Sequence, residues 1–104
     1  MEAYLRERGF EVLARNARMG RLELDLVARK GALLVVCEVR SRRTDRWVSP
    51  AATVDGAKIE RVRRAALAWI RAHRPGTSRL RFDVASVIFD GETPPRVQYY
   101  ERAF

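Results

Sequence analysis

An α/β fold is predicted for this chain of 104 residues: a central mixed sheet of four to five strands flanked by two helices. Three observations predict it. Two β-rich runs face each other across Lys30-Gly31. A helical stripe from Val54 to His73 then separates them from a further apolar run, and that span is long enough for a parallel crossover connection. The run after it, VASVIF within Leu80–Asp90, is continuously apolar, which suits a strand covered on both faces. The element order is α-β-β-β-α-β-β, and layers of helix on sheet are the expected packing.

Glu2 to Arg8 reads as the end of an amphipathic helix with Gly9 as its stop, and the expectation is a first helix of which this chain holds only the last part. Phe10 to Arg18 alternates Phe10, Val12 and Ala14 against Glu11, Leu13 and Arg15, a strand pattern, with Asn16 to Gly20 as the connection. Leu22, Leu24 and Leu26 alternate with Glu23, Asp25 and Val27, and Ala32 to Val39 forms the returning strand. Ser41 to Ala52 reads as a loop in which Arg42, Arg43 and Arg46 stand beside Trp47. In the long helix Asp55 caps the start, and Ile59, Val62, Ala66, Trp69, Ile70 and His73 share one stripe. Arg61, Arg64 and Arg71 point away from it. Pro75-Gly76 ends the helix, and His73 in its last turn favours the negative end of the helix dipole rather than a catalytic role. Gly91 to Pro95 is a turn, and Arg96 to Glu101 an edge strand.

The length allows a single domain, 1–104, with a modest core. The one cysteine, Cys37, excludes an internal disulfide and a cysteine zinc cluster and reads as a small core residue. A reducing cytoplasmic setting fits it. The N-terminus is charged and has no signal-peptide run, and no stretch approaches the ~20 apolar residues of a membrane helix. The net charge of +8 points to a polyanionic partner, nucleic acid first. Only Lys30 and Lys58 among the 21 basic residues are lysine, leaving 19 arginines. Arginine binds phosphate bidentately better than lysine does, although a G- and C-rich genome enriches arginine everywhere. The arginines around Trp47 suit a nucleic-acid backbone with a stacking platform; the alternative is a Trp47 folded onto the core among solvated charges.

With Lys30-Gly31 as a two-residue loop, Glu23 falls opposite Glu38, and Asp25 lies opposite Val36 and diagonal to Glu38. Arg40 follows two residues further along the same face. Opposed like charges are unfavourable in a sheet, and a divalent cation would relieve them with the oxygen ligands it prefers. The alternative is a half-solvated sheet face with ordinary surface charges.

At Asp25 and Glu38-Val39-Arg40 the sequence resembles the PD-(D/E)XK nuclease superfamily, and more closely the small bacterial YraN-like family. Matching residues run through most of the chain: Tyr4-Leu5, Gly9-Phe10, Asn16, Gly20, Glu23 to Leu26, Ala28, Glu38 to Arg40, and Arg42. They go on through Ser49 to Ala51, Val54, Lys58, Arg81 to Val84 and Ala103-Phe104. The resemblance implies a restriction-endonuclease-like fold and a Mg²⁺- or Mn²⁺-dependent nuclease site. Asp25 and Glu38 would be the metal ligands and Glu23 an accessory acid. Arg40 stands where the superfamily usually has lysine, and Lys58 would be a supporting cation or phosphate contact. Relatives carry a Gly-Glu pair on a longer first helix, upstream of the Tyr-Leu, and Glu2 does not occupy that position.

Three functions follow as expectations. The first is an endonuclease acting on DNA by phosphodiester hydrolysis, resolvase-like on branched or flapped substrates, with Arg42, Arg43, Arg46, Trp47, Lys58 and Arg61 contacting nucleic acid. The second is a non-catalytic nucleic-acid-binding domain on the same scaffold. The third is an interaction module whose last strand pairs with a partner or with a second copy in a homodimer.

Overall fold

The computed structural model describes residues 1–42, 56–89, 91 and 94–104. The chain runs α1 (Glu2–Glu7), β1 (Glu11–Met19), β2 (Leu22–Lys30), β3 (Leu33–Arg42), α2 (Gly56–His73), β4 (Arg79–Ile88) and β5 (Arg96–Tyr100). This is the order the sequence predicts. The five strands form one mixed sheet in the order β1-β2-β3-β4-β5. Only β3 and β4 are parallel, in register from Leu33↔Arg79 to Arg42↔Ile88, and α2 lies in the connection between them. No helix among the described residues is long and apolar enough to cross a membrane.

The two helices cover opposite faces. On the α2 face, Val62, Ala65, Ala66 and Trp69 bury against Leu24, Val27, Leu34 and Val36. On the α1 face, Leu5 packs on Leu26, Ala28, Val35, Cys37 and Ala85. β3 supplies both clusters, and from Leu34 to Glu38 every residue is buried, so this strand is the centre of the molecule. Each fully buried Leu or Val there contributes roughly 1.5–3 kcal/mol of transfer free energy. Cys37 is one of these core residues, and burial pushes its thiol up to about 12. α1 is short but firmly ended. Gly9, at φ 88°, donates its N–H to the Arg6 carbonyl and Phe10 donates to that of Leu5, the αL stop that glycine favours.

Several boundaries differ from the sequence expectation. β1 runs through Asn16 to Met19 instead of ending before a connection. Asn16 has a φ of 48 degrees inside the strand. Asparagine tolerates this left-handed conformation better than other non-glycine residues do. β3 continues through Ser41 and Arg42, because the parallel ladder with β4 extends that far. β4 begins at Arg79, and β5 ends before Glu101, which lies in a turn. Trp47, Arg43, Arg46, Asp55 and Asp90 lie outside the described residues, as does the side chain of Arg42.

The hairpin register is also corrected. Lys30 pairs with Leu33, so the loop is Gly31-Ala32 rather than Lys30-Gly31. Gly31 takes the first loop position with a φ of 59 degrees. A side chain would resist that conformation. The change moves the partner of each β2 residue two places along β3. Faces are preserved, but extending the register now brings Asp25 level with Glu38 and removes Glu23 from that position.

Candidate functional site

Backbone pairing between β2 and β3 runs from Lys30↔Leu33 to Leu26↔Cys37 and stops there, although both strands continue. Beyond that point β2 stays with β1, through Ala17↔Leu24 to Met19↔Leu22. β3 stays with β4, through Glu38↔Val84 to Arg42↔Ile88. The sheet therefore forks, and Asp25 and Glu38 are the first residues past the fork.

Side chains replace the missing ladder. Asp25 donates its backbone N–H to Glu38 Oε2 at 3.4 Å, and Val39 donates its N–H to Asp25 Oδ2 at 2.8 Å. The local pleat explains how Asp25 reaches this position. Leu24 and Val27 both pack on the α2 face, whereas Leu26 and Ala28 pack on the α1 face. Strict alternation would put Leu24 and Leu26 on one face, so β2 turns over at Asp25. β1 turns over beside it: Ala14 and Ala17 both meet the α2-face cluster, with the left-handed Asn16 between them. The Leu22-Leu24-Leu26 stripe expected from the sequence is thus broken at its acid.

Glu38 is fully buried. Burial first, then the neighbouring charge of Asp25, pushes its carboxyl above the usual range. The Asp25 N–H and the Lys58 ammonium act the other way. Lys58, near the start of α2, brings Nζ to 3.4 Å from Glu38 Oε1. Distance makes this an ion pair, but Oε1 still has no hydrogen bond. Arg40 lies on the same face, and its buried Nε also lacks a hydrogen-bond partner.

Asp25 opens onto a cavity of about 310 Å³ on the α1 side, shared with Glu2, Arg15, Asn16 and Val39. Arg15 clamps Glu2 through two hydrogen bonds of 2.6 and 2.7 Å and holds that carboxyl below its usual range. On the α2 side, Glu23, Lys58 and Arg61 line a second cavity of about 200 Å³. Glu23 is exposed there, so the expected cluster of three carboxylates does not form. Among the described residues, no three His, Cys, Asp or Glu side chains gather as a metal-ligating group. The fork is instead a two-carboxylate site with Lys58 and Arg40 beside it.

Two carboxylates still fit a hard cation. Mg²⁺ is usually held by one or two carboxylates together with water and substrate phosphate oxygens. Glu38 Oε1 is a buried acceptor met by the Lys58 ammonium at 3.4 Å without a well-formed hydrogen bond, so a metal ion there would take the place of that ammonium.

Sequence reasoning missed another buried carboxylate. Asp83, also fully buried, accepts from Tyr99 Oη at 2.6 Å, from Arg81 at 2.9 Å and from the Arg102 N–H at 3.0 Å. Tyr99 in turn stacks on Tyr4, their ring centroids 5.0 Å apart. Both carboxylate oxygens are engaged, so this network fastens the C-terminal turn to β4. The signal was present in Arg81-Phe82-Asp83-Val84, but its partners lie 16 and 19 residues further on. His73 stacks on Trp69 at 4.3 Å, with Nδ1 2.9 Å from the Trp69 carbonyl oxygen.

The profile of a family described as "Uncharacterised protein family UPF0102" matches residues 1–87. A UPF0102 protein of Anaeromyxobacter dehalogenans is 45% identical over 102 residues, covering 98% of this chain and 75% of the relative. One from Sorangium cellulosum is 42% identical over 105 residues, with 98% and 73% covered. A third, from Frankia casuarinae, is 43% identical over 96 residues, with 92% and 81% covered. Their names state no activity.

Proposed function

The chain belongs to the uncharacterised UPF0102 family, and from that premise we propose that it is a metal-dependent endonuclease of restriction-endonuclease-like fold, acting on DNA by phosphodiester hydrolysis. The observation that carries this reading is the fork: two carboxylates, one of them fully buried, held in a break of the sheet on a chain of net charge +8. Setting Asp25 against Glu38 carries a repulsion between acids that the backbone N–H groups and Lys58 offset only in part, since the Glu38 carboxyl is still pushed above its usual range. Strained backbone at Asn16 beside them fits the tendency of such geometry to cluster at working sites.

In this reading Asp25 and Glu38 hold a Mg²⁺ or Mn²⁺ ion, which supplies Lewis-acid stabilisation of the phosphoryl oxygens and makes water more acidic. Asp25 is fixed by the Val39 N–H, and Glu38 by the Asp25 N–H, so neither carboxylate must reorganise on binding phosphate. Arg40 is permanently protonated and cannot serve as a base, so its work is to orient and stabilise phosphate charge. Lys58 and Arg61 extend the positive surface along α2. The described residues at the fork are acids and cations suited to metal and phosphate, which favours recognition of backbone and shape, as on branched or flapped DNA. Arg42, Arg43, Arg46 and Trp47 remain proposed nucleic-acid contacts.

A second reading has its own observation. Lys58 already neutralises Glu38 at 3.4 Å, which is where a cation would act, and Arg40 replaces a residue able to move protons. A non-catalytic nucleic-acid-binding domain satisfies both. The deciding assay incubates branched, flapped and linear DNA with Mg²⁺ or Mn²⁺, using wild type, Asp25→Asn and Glu38→Gln, alongside calorimetric titration of Mn²⁺. The nuclease reading expects cleavage and metal binding that both substitutions abolish. Salt-sensitive DNA binding without either would leave the second reading standing.

A further inference from the structure

A larger cavity, about 610 Å³, lies at the other end of the sheet. It exists because β5 covers β4 only from Val84 to Ile88. After β5 the chain turns, and Ala103 donates its N–H to the Phe82 carbonyl at 2.8 Å. Phe104 is thereby set against Phe82, ring centroids 5.3 Å apart and tilted by 31°. Leu33 and Leu80 complete the apolar lining.

Around these rings stand arginines. Arg63 from α2 lies 5.8 Å above the Phe82 ring. Arg81 is occupied by Asp83 at 2.9 Å and Glu101 at 3.6 Å. Arg79 and Arg102 line the same cavity, and among the described residues no carboxylate pairs with either guanidinium. Arg102 is presented from a left-handed backbone, φ 51°, held by its N–H bond to the buried Asp83. Arg79 and Arg102 are exposed at the cavity mouth, and the bond from the Arg102 N–H to Asp83 fixes the backbone that presents one of these cations beside the two aromatic rings.

The chemistry selects the ligand. Unpaired guanidinium groups favour phosphate, and phenyl faces stack on a flat base. The volume lies within the range of small-ligand sites, enough for one nucleotide and too little for a duplex. We propose that this cavity holds one unpaired nucleotide of a single-stranded nucleic acid, its base against Phe82 and Phe104 and its phosphate on Arg79 and Arg102. In the register of β3 and β4 the cavity starts at Leu33, five residues before Glu38 on the same strand. At the ordinary rise of a strand that is a separation of roughly 16 Å. A strand bound here would therefore be held at a distance from the fork. The proposal rests on the nucleic-acid part of the functional reading and not on hydrolysis.

The test is fluorescence anisotropy in EDTA with the full chain, so that it stands whatever the cleavage assay gives. The probes are a labelled oligothymidine and an abasic oligomer of equal length, with inorganic polyphosphate as competitor. Wild type should bind the oligothymidine about tenfold more tightly than the abasic oligomer, the value of roughly one stacked base. Phe104→Ala should remove that preference, and Arg102→Ala should weaken both probes. Arg79→Glu, on an exposed side chain, serves as the second cation variant should Phe104→Ala unfold early. Equal affinity for the two oligomers, variants that bind like wild type, or polyphosphate competing as well as oligothymidine would each overturn the proposal.

Discussion

Replacing Lys58 by Met tests the electrostatic account of the fork most directly. Nζ lies 3.4 Å from Glu38 Oε1. At an effective dielectric of about 20, the attraction is roughly 5 kcal/mol gross. Two effects reduce it. The lysine side chain is 32% exposed. It is therefore partly screened by solvent, and Glu38 can escape the loss by protonating. The expected cost is about 2–3 kcal/mol above neutral pH, or a fall in Tm of roughly 10–20 °C for a domain of this size. The sign with pH follows from linkage. Glu38 has a folded pKa above its ordinary value of 4.5, so the folded state holds the extra proton. That contribution to stability is complete below 4.5 and is lost as pH rises through the raised value. Lys58→Met raises that value further, so its penalty should be smallest near pH 4.5 and should grow toward pH 8. Thermal melts of wild type, Lys58→Met, Glu38→Gln and the double variant across this range provide the measurement. The double variant should recover most of the lost Tm. A drop in Tm that does not vary with pH, or one that Glu38→Gln fails to relieve, would refute the reasoning.

Three further outcomes are expected. Mn²⁺ should raise the Tm of Lys58→Met more than that of wild type, because ammonium and metal compete for the same carboxylate; equal shifts would place the metal elsewhere. Cys37, with its thiol at about 12 and no exposure, should resist thiol reagents in the native state and react at the rate of global unfolding. Asp83→Asn leaves the largely buried Arg81 with only the exposed Glu101 as ionic partner and should cost about 3 kcal/mol in urea denaturation, more than Tyr99→Phe.

The sequence shows the architecture well and the site only in part, for identifiable reasons. Period-two runs, a long amphipathic stripe and a doubly apolar strand are local signals, so the strands, α2 and the parallel crossover are legible. Asp25 and Glu38 are legible as neighbours because any register that keeps parity brings them close. The register itself is not. Gly31 can occupy either position of a two-residue loop, and that choice moves Glu23 in or out of the cluster. Nor is the inversion of β2 at Asp25, since three leucines in strict alternation give no sign of it; the only local hint is an asparagine on the neighbouring strand. The Asp83 network and the Phe82–Phe104 cavity depend on where the C-terminal turn returns, which no local pattern encodes.

The fork also has a mechanical consequence. The backbone seam between β2 and β3 is five residue pairs long and ends at Leu26↔Cys37. The sheet is therefore two leaves on a short spine, with β1 and β2 in one leaf and β3, β4 and β5 in the other. Past the spine, among the described residues, two side-chain hydrogen bonds join the leaves in place of a ladder. Prising them apart there would break no backbone-to-backbone bond, and the α2 residues packed on Leu24 and Val27 of one leaf and on Leu34 and Val36 of the other are what resist it. Wedged substrate, a metal or a proton on Glu38 would all act on the same lever.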